Sequence, residues 1–259
     1  MSSKFSSSSD AHRVELVVAA GLEDLARDEV RRLGRTVRLV PPADAGVLPI
    51  NYSGAWRDLL DLRLVTSVYL VRSFAVPRPR ALLGDQHLRA IQQLATMALK
   101  LHAPGSFQSL FLSAAGADSA VLKRLKETLA AQLGLTVGRE DGDLLLRLRR
   151  GEHGTWEVLV RLTPRPLATR PWRVCNREGA LNGPVACAMA LLTRPSATDR
   201  YLNLGCGSGS LLIERLLLGP AQRAIGCDIS GAARACATQN LTAAGLAGRY
   251  ELSNWDVRK

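Results

Sequence analysis

No apolar run in the chain approaches the roughly 18 residues that a membrane-spanning helix needs. No basic-then-apolar leader opens it either. Both absences point to a cytoplasmic protein with no membrane partner. The five cysteines, Cys175, Cys187, Cys206, Cys227 and Cys236, show no C-x-x-C spacing. They read as small, reduced side chains rather than a disulfide framework or a zinc site. His12, His87, His102 and His153 are scattered without ligand spacing, so no metal is expected. Acidic residues are in deficit, with 23 Asp+Glu against 34 Lys+Arg and a net charge of +11. Residues 181–259 carry only 8 of the basic residues against 5 acids, so most of the excess lies in the front of the chain. That suits a front half that binds a polyanion, the plainer alternative being a solvated basic surface.

At 259 residues the chain has room for one large domain or two to three small ones. Its most informative stretch is Arg200 to Asp228, R-Y-L-N-L-G-C-G-S-G-S-L-L-I-E-R-L-L-L-G-P-A-Q-R-A-I-G-C-D. A short apolar strand ends in Gly205, Gly207 and Gly209, a helical stripe follows, and a second strand closes on Asp228. Strand, glycine loop, helix and strand ending on an acid predict a nucleotide-binding βαβ unit. Glycines let a ligand approach the backbone, and the helix start offers unpaired N–H groups. Asp228, 19 residues beyond Gly209, can accept hydrogen bonds from ribose hydroxyls. A dinucleotide fingerprint would need its third glycine at Ser210, so G-x-G-x-x-G is not satisfied. The loop G-C-G-S-G is instead G-x-G-x-G, which resembles motif I of the class I S-adenosylmethionine-dependent methyltransferases. NAD and a turn that binds nothing stand as the alternatives.

In chain order, Met1 to Asp10 is serine-rich and predicts a disordered tail over 1–12. Residues 13–75 read as a small α+β module. Val14, Leu16 and Val18 alternate as a strand, Leu22 to Leu33 carry a helical stripe stopped by Gly34, Trp56–Leu64 reads as a second helix and Ser67–Ala75 as a strand. Residues 76–165 read as another: a helix capped by Asp85, a strand over Ser106–Leu112, a helix through Leu122, Leu125 and Leu129, and a hairpin of Leu144–Leu148 with Trp156–Leu162. A linker over 166–180 follows, and the arginines from Arg161 to Arg177 are accompanied by three prolines and no acid. Arg161, Arg165, Arg170, Arg173 and Arg177 are candidates for RNA phosphate, because the guanidinium fork donates bidentately. Trp172 is a candidate for stacking on a base, the alternative being packing at a seam. A helix from Pro184 to Leu192 leads into the nucleotide unit at 181–259, whose strands are expected at about 200–204, 223–228 and 248–252.

Taken together, V-V-A-A-G-L-E-D-L-A-R-D-E-V-R-R-L-G at Val17–Gly34, R-P-L-A-T-R-P-W-R followed by L-N-G-P-V-A-C-A-M-A-L-L, and G-C-G-S-G-S-L-L-I-E at Gly205–Glu214 resemble the THUMP-containing RNA methyltransferases. The resemblance implies α+β and α/β classes in order: an N-terminal ferredoxin-like module, a THUMP domain, and the first half of a Rossmann-like methyltransferase domain. It implies S-adenosyl-L-methionine as cofactor and structured RNA (tRNA or rRNA) as partner, with a base amino group, guanine N2 first, as acceptor. The cofactor contacts it implies are Asn203, Gly205, Cys206, Gly207, Gly209, Asp228, Ile229 and Asp256. Two departures follow. Asn203 stands where the family has an acid, so weaker cofactor binding is expected. The N/D-P-P-Y motif that grips the acceptor amine does not occur in residues 1–259. No catalytic residue is therefore named, the chain is expected to be inactive alone, and the missing half of the catalytic domain is an expected partner. A non-catalytic RNA-binding protein with a vestigial donor fold is the alternative from another class.

Overall fold

The computed structural model describes residues 11–42 and 44–256. The expected tail falls outside these up to residue 10, and strand pairing already starts at His12. The chain divides into two compact units. The first comprises residues up to Val18, Arg27–Leu62 and Ser67–Pro166, and the second Ala19–Ala26, Arg63–Thr66 and everything from Leu167. Among the described residues no helix is long and apolar enough to cross a membrane.

The front of the chain runs β1 (His12–Val18), α1 (Glu23–Arg31), β2 (Val37–Leu39), β3 (Val47–Tyr52), β4 (Val65–Phe74), α2 (Asp85–Leu99), β5 (Ser109–Ala114), α3 (Ala120–Leu133), β6 (Thr136–Val137), β7 (Leu144–Arg150) and β8 (Trp156–Arg161). The strands form one mixed eight-stranded sheet in the order β2-β3-β1-β4-β8-β7-β5-β6. Residues 13–75 and 76–165 therefore share a sheet across the expected boundary, because β4 pairs antiparallel with β8, Val71 opposite Leu159. Alternation decides which face is dry. Leu110, Leu112, Leu144, Leu146, Val158 and Val160 are all buried, with α2 packed on β8 and α3 on β5. Glu157 points to the other face, where Arg13, Ser73 and Arg149 hold its carboxylate while Arg149 also holds Glu15.

Two local expectations fail in this unit. Trp56–Leu64 is not a helix but a single 3-10 turn over Trp56–Leu59, since the chain must extend again at Val65 to enter β4. Asp85 does not cap α2. The cap position is Gly84, and Asp85 is the first helical residue.

The rest of the chain runs α4 (Gly183–Leu192), β9 (Arg200–Leu204), α5 (Ser210–Leu217), β10 (Arg223–Cys227), α6 (Gly231–Ala243) and β11 (Glu251–Ser253). The three strands are parallel in the order β11-β10-β9, joined by α5 and α6 as crossovers. Trp172, Leu212, Ile213, Leu216, Ala237 and Leu241 form the core. Two ionised side chains are buried on α5. Glu214 is held by Arg63 and Arg170, and Arg215 by Asp199 and the Ser196 carbonyl, each at 2.8 Å. Pairing is what allows such charges to be buried.

The cysteines depart from expectation. Cys175 and Cys236, 61 residues apart, form a disulfide with 5.4 Å between their Cα atoms. Sequence spacing carries no trace of this pair, because the fold lays residue 175 against α6. Cys187, Cys206 and Cys227 are free and buried.

Candidate functional site

The glycine loop leaves β9 at Gly205 and enters α5 at Ser210. Gly207 and Gly209 have φ of +54° and +83°, in the left-handed region that favours glycine. At Gly209 a side chain would also meet α6, with Ala237 Cβ 3.2 Å from an added Cβ. The loop is tied to β10 at two points. Cys206 N–H donates to the Cys227 carbonyl at 2.8 Å, and Gly207 N–H donates to Asp228 Oδ2 at 2.9 Å. Asp228 Oδ1 accepts from Ser230 N–H, also at 2.9 Å, at the start of α6. Both carboxylate oxygens are thus oriented by backbone amides, and each keeps a second lone pair for a ligand hydroxyl. Ile229, beside this acid, is 62% exposed.

A cavity of about 200 Å³ opens at the loop. It is lined by Gly179, Ala180 and Leu181 together with Asn203, Gly205–Ser208, Ser210 and Leu211. Among the described residues, Asn203 Oδ1 is buried and has no hydrogen-bond partner. A buried orphan acceptor costs free energy on the order of 1–3 kcal/mol unless a ligand or water supplies a donor. Arg173 lies against the same wall, donating to the Leu181 carbonyl at 2.6 Å and to Ser210 Oγ at 3.0 Å. Burial lowers its pKa from the ordinary guanidinium value; Glu214 opposes that shift, and Arg170 adds to it. Cys206 is no nucleophile here, because burial and the Asp228 charge push its thiol up to about 11.

The sequence-named cofactor candidates Asn203, Gly205, Cys206 and Gly207 thus share one cavity wall, with Gly209 at the turn into α5 and Asp228 bonded to the loop. Asp256 is half-buried beyond β11. The RNA candidates separate. Arg161 is buried and donates to the carbonyls of Thr163, Pro164 and Asp143. Arg170 is buried on Glu214 and the Arg63 and Leu167 carbonyls. Trp172 is 6% exposed in the core of the second unit. These three are withdrawn as RNA contacts, since their polar or ring surfaces are already spent inside the protein. Arg165 is exposed and Arg177 half-buried. Sequence reasoning passed over Asn240, a fully buried amide on α6. It accepts from Cys175 N–H at 2.8 Å and donates at 2.9 Å to both the Cys175 and Ser208 carbonyls. Only its place on the inner face of a helix whose start follows Asp228 hinted at it.

A parallel sheet with a G-x-G-x-G loop and an acid ending the next strand defines a Rossmann-like nucleotide fold, and the comparisons narrow it to a methyltransferase. Residues 170–259 match the model described as RMKL-like, methyltransferase domain. The release factor glutamine methyltransferase of Cereibacter sphaeroides is 36% identical over 107 residues, 40% of this chain and 34% of that protein. The chain therefore spans about a third of this curated relative's length. Among solved structures, TrmN from Thermus thermophilus superposes with a TM-score of 0.67 at 24% identity, covering 95% of this chain and 74% of that one. SMU.472 complexed with SAH superposes with a TM-score of 0.62 at 15% identity, covering 96% and 78%. At these identities the structural likeness concerns the fold. Residues 170–259 are thus similar to a methyltransferase domain, which supports S-adenosylmethionine as the cofactor.

Proposed function

We propose that this chain holds S-adenosylmethionine in the glycine-loop cavity and serves the methylation of a base amino group, guanine N2 first, in structured RNA. The observation that carries the cofactor half is Asn203, a residue lining the glycine-loop cavity, whose buried Oδ1 has no hydrogen-bond partner among the described residues. The donor's ammonium is a matching partner, and Asp228 and Ile229 suit its ribose and adenine. Arg173, with no carboxylate partner among the described ion pairs, is reassigned from RNA phosphate to the donor's carboxylate. When bound, the cofactor supplies an electrophilic sulfonium methyl group. This chain's residues bind and orient it; none of them is assigned to grip the acceptor amine. The RNA half rests on the net charge of +11, concentrated before residue 181, and on the resemblance of residues 13–165 to a ferredoxin-like module and a THUMP domain.

Two ligands separate the roles in one calorimetric series. S-adenosylhomocysteine carries adenosine and an amino-acid end, whereas 5′-methylthioadenosine lacks the latter. Asp228→Ala is expected to weaken both by about ten- to a hundredfold, the worth of about 1.5–3 kcal/mol of charge-assisted hydrogen bonds. Arg173→Met and Asn203→Ala are expected to weaken S-adenosylhomocysteine while leaving methylthioadenosine within about twofold. Equal losses for both ligands in Arg173→Met would assign that residue to the wall rather than the carboxylate. No binding of either ligand to the wild-type chain would remove the cofactor reading altogether.

A further inference from the structure

The disulfide sits where it can govern the cavity just described. Residues 173–181 form a single segment that touches the donor site at its far end, through Gly179, Ala180 and Leu181. Three ties hold it. Arg173 bonds the Leu181 carbonyl and Ser210 Oγ, which folds the segment back onto the start of α5. Asn240 brackets the Cys175 backbone on both its N–H and its carbonyl, and with the same amide group reaches the Ser208 carbonyl in the glycine loop. The third tie is covalent: Cys175 to Cys236, one helical turn before Asn240 on α6. Between Cys175 and Leu181 nothing else of this strength is present among the described residues. Among the described residues, the other backbone hydrogen bonds of residues 173–181 are local turns, Arg173 N–H to the Arg170 carbonyl, Val174 N–H to the Trp172 carbonyl and Ala180 N–H to the Arg177 carbonyl. Val174 next to the disulfide is 63% exposed, so this stretch has little apolar burial of its own.

We infer that the Cys175–Cys236 pair is a redox latch on the cofactor site: oxidised, it fixes the segment that walls the cavity, and reduced, it loosens that wall and weakens cofactor binding. The inference rests on the reading that this cavity holds the cofactor. The chemistry needs a thiol reductant of low molecular weight. Its thiolate attacks Cys175 Sγ, the more accessible sulfur, since Cys175 is half-buried and Cys236 buried. The protein S–S bond breaks as the new mixed disulfide forms, and Cys236 departs as a thiolate and takes a proton. A second thiolate attacks the reductant's sulfur in that mixed disulfide, the external disulfide forms, and Cys175 leaves as a thiol. Two electrons and two protons are thereby gained by the protein. Reduction does not dissolve the wall, because the Asn240 bonds remain. It lowers the fraction of molecules in which residues 175–181 stand in the binding conformation, and the apparent dissociation constant rises in inverse proportion.

The test uses S-adenosylhomocysteine as probe, on the intact 259-residue chain. Thiol counting by alkylation under denaturing conditions comes first. Three labelled thiols are expected for the oxidised protein and five after dithiothreitol, matching three free cysteines and one pair. Five labelled thiols in protein purified without reductant would overturn the inference. Calorimetry on the two forms is then expected to show affinity several-fold weaker in the reduced form, and reoxidation should restore it. The Cys175→Ser/Cys236→Ser double variant should bind like the reduced wild type and ignore dithiothreitol. Affinity that stays within about twofold between oxidised and reduced wild type overturns the latch while leaving the cofactor reading intact. Failure of both forms to bind the probe overturns the cofactor reading, and the latch with it. Should the double variant not fold, the wild-type comparison alone still decides.

Discussion

Asn203 and Arg173 change meaning once their surroundings are known. From sequence, Asn203 is a weakened version of an acid. In the fold Asn203 lines the cavity and its buried Oδ1 lacks a hydrogen-bond partner among the described residues, which is what the proposed recognition of the donor's ammonium rests on. Arg173 belongs by composition to a basic run, yet its guanidinium is tied to Leu181 and Ser210 at that same cavity. The other arginines divide by burial. Arg170 is drawn in by Glu214, a carboxylate with no exposed surface that Arg63 also holds, and removing Glu214 would leave Arg170 buried without its carboxylate. Arg165 and Arg177 are what remain of the run for a polyanion. If both contact RNA phosphate, the Arg165→Ala/Arg177→Ala variant should lower the log–log salt slope of RNA binding by about 1.4, at about 0.7 per contact on single strands. Filter binding across a salt series measures this. An unchanged slope assigns RNA contact to other residues.

Elements with strong periodicity and a hard stop were legible in the sequence. The stripe of α3 begins at the Ser119 cap, which accepts from Leu122 N–H, and ends at Gly134 with φ of +68°, and the β7–β8 hairpin announces itself by alternation around Gly151 and Gly154. Strand β3 is not among the elements read from the sequence, and Pro49 in V-L-P-I-N-Y is a residue type that disfavours strands. Pro49 nonetheless sits opposite Glu15 in the sheet, and its carbonyl accepts from Val40 N–H. Within the site, the glycine loop and Asp228 were legible because backbone conformation dictates glycine and a strand end positions the acid. The disulfide, Asn240 and the burial of Arg161 and Arg170 were not, because each depends on residues brought together from distant positions.

The sheet also predicts its own pH response. Burial opposes ionisation of Glu157, but hydrogen bonds and charge from Arg149 and Arg13 outweigh it, leaving the carboxyl below its ordinary value of 4.5. A lowered carboxylate pKa adds stability at pH values above 4.5, and that stability is lost as pH falls through the folded-state value. Urea midpoints from about pH 7 down to about pH 3 should therefore fall steeply at the acid end. Glu157→Gln should be less stable at neutral pH and show a flatter acid limb. An identical acid limb in the variant would mean that other carboxylates set it.

The molecule as a whole joins a basic eight-stranded front unit to a second unit whose glycine loop, Asp228 and cavity are the proposed cofactor site. The cofactor is proposed to lie in that cavity. Hydrogen–deuterium exchange of the oxidised chain, with and without saturating S-adenosylhomocysteine, tests this most directly. Slowed exchange is expected at residues 203–211, 227–230 and 179–181, with little change over the α2 and β7–β8 segments of the front unit. Bound ligand without protection in the glycine loop, or protection confined to the front unit, would contradict it.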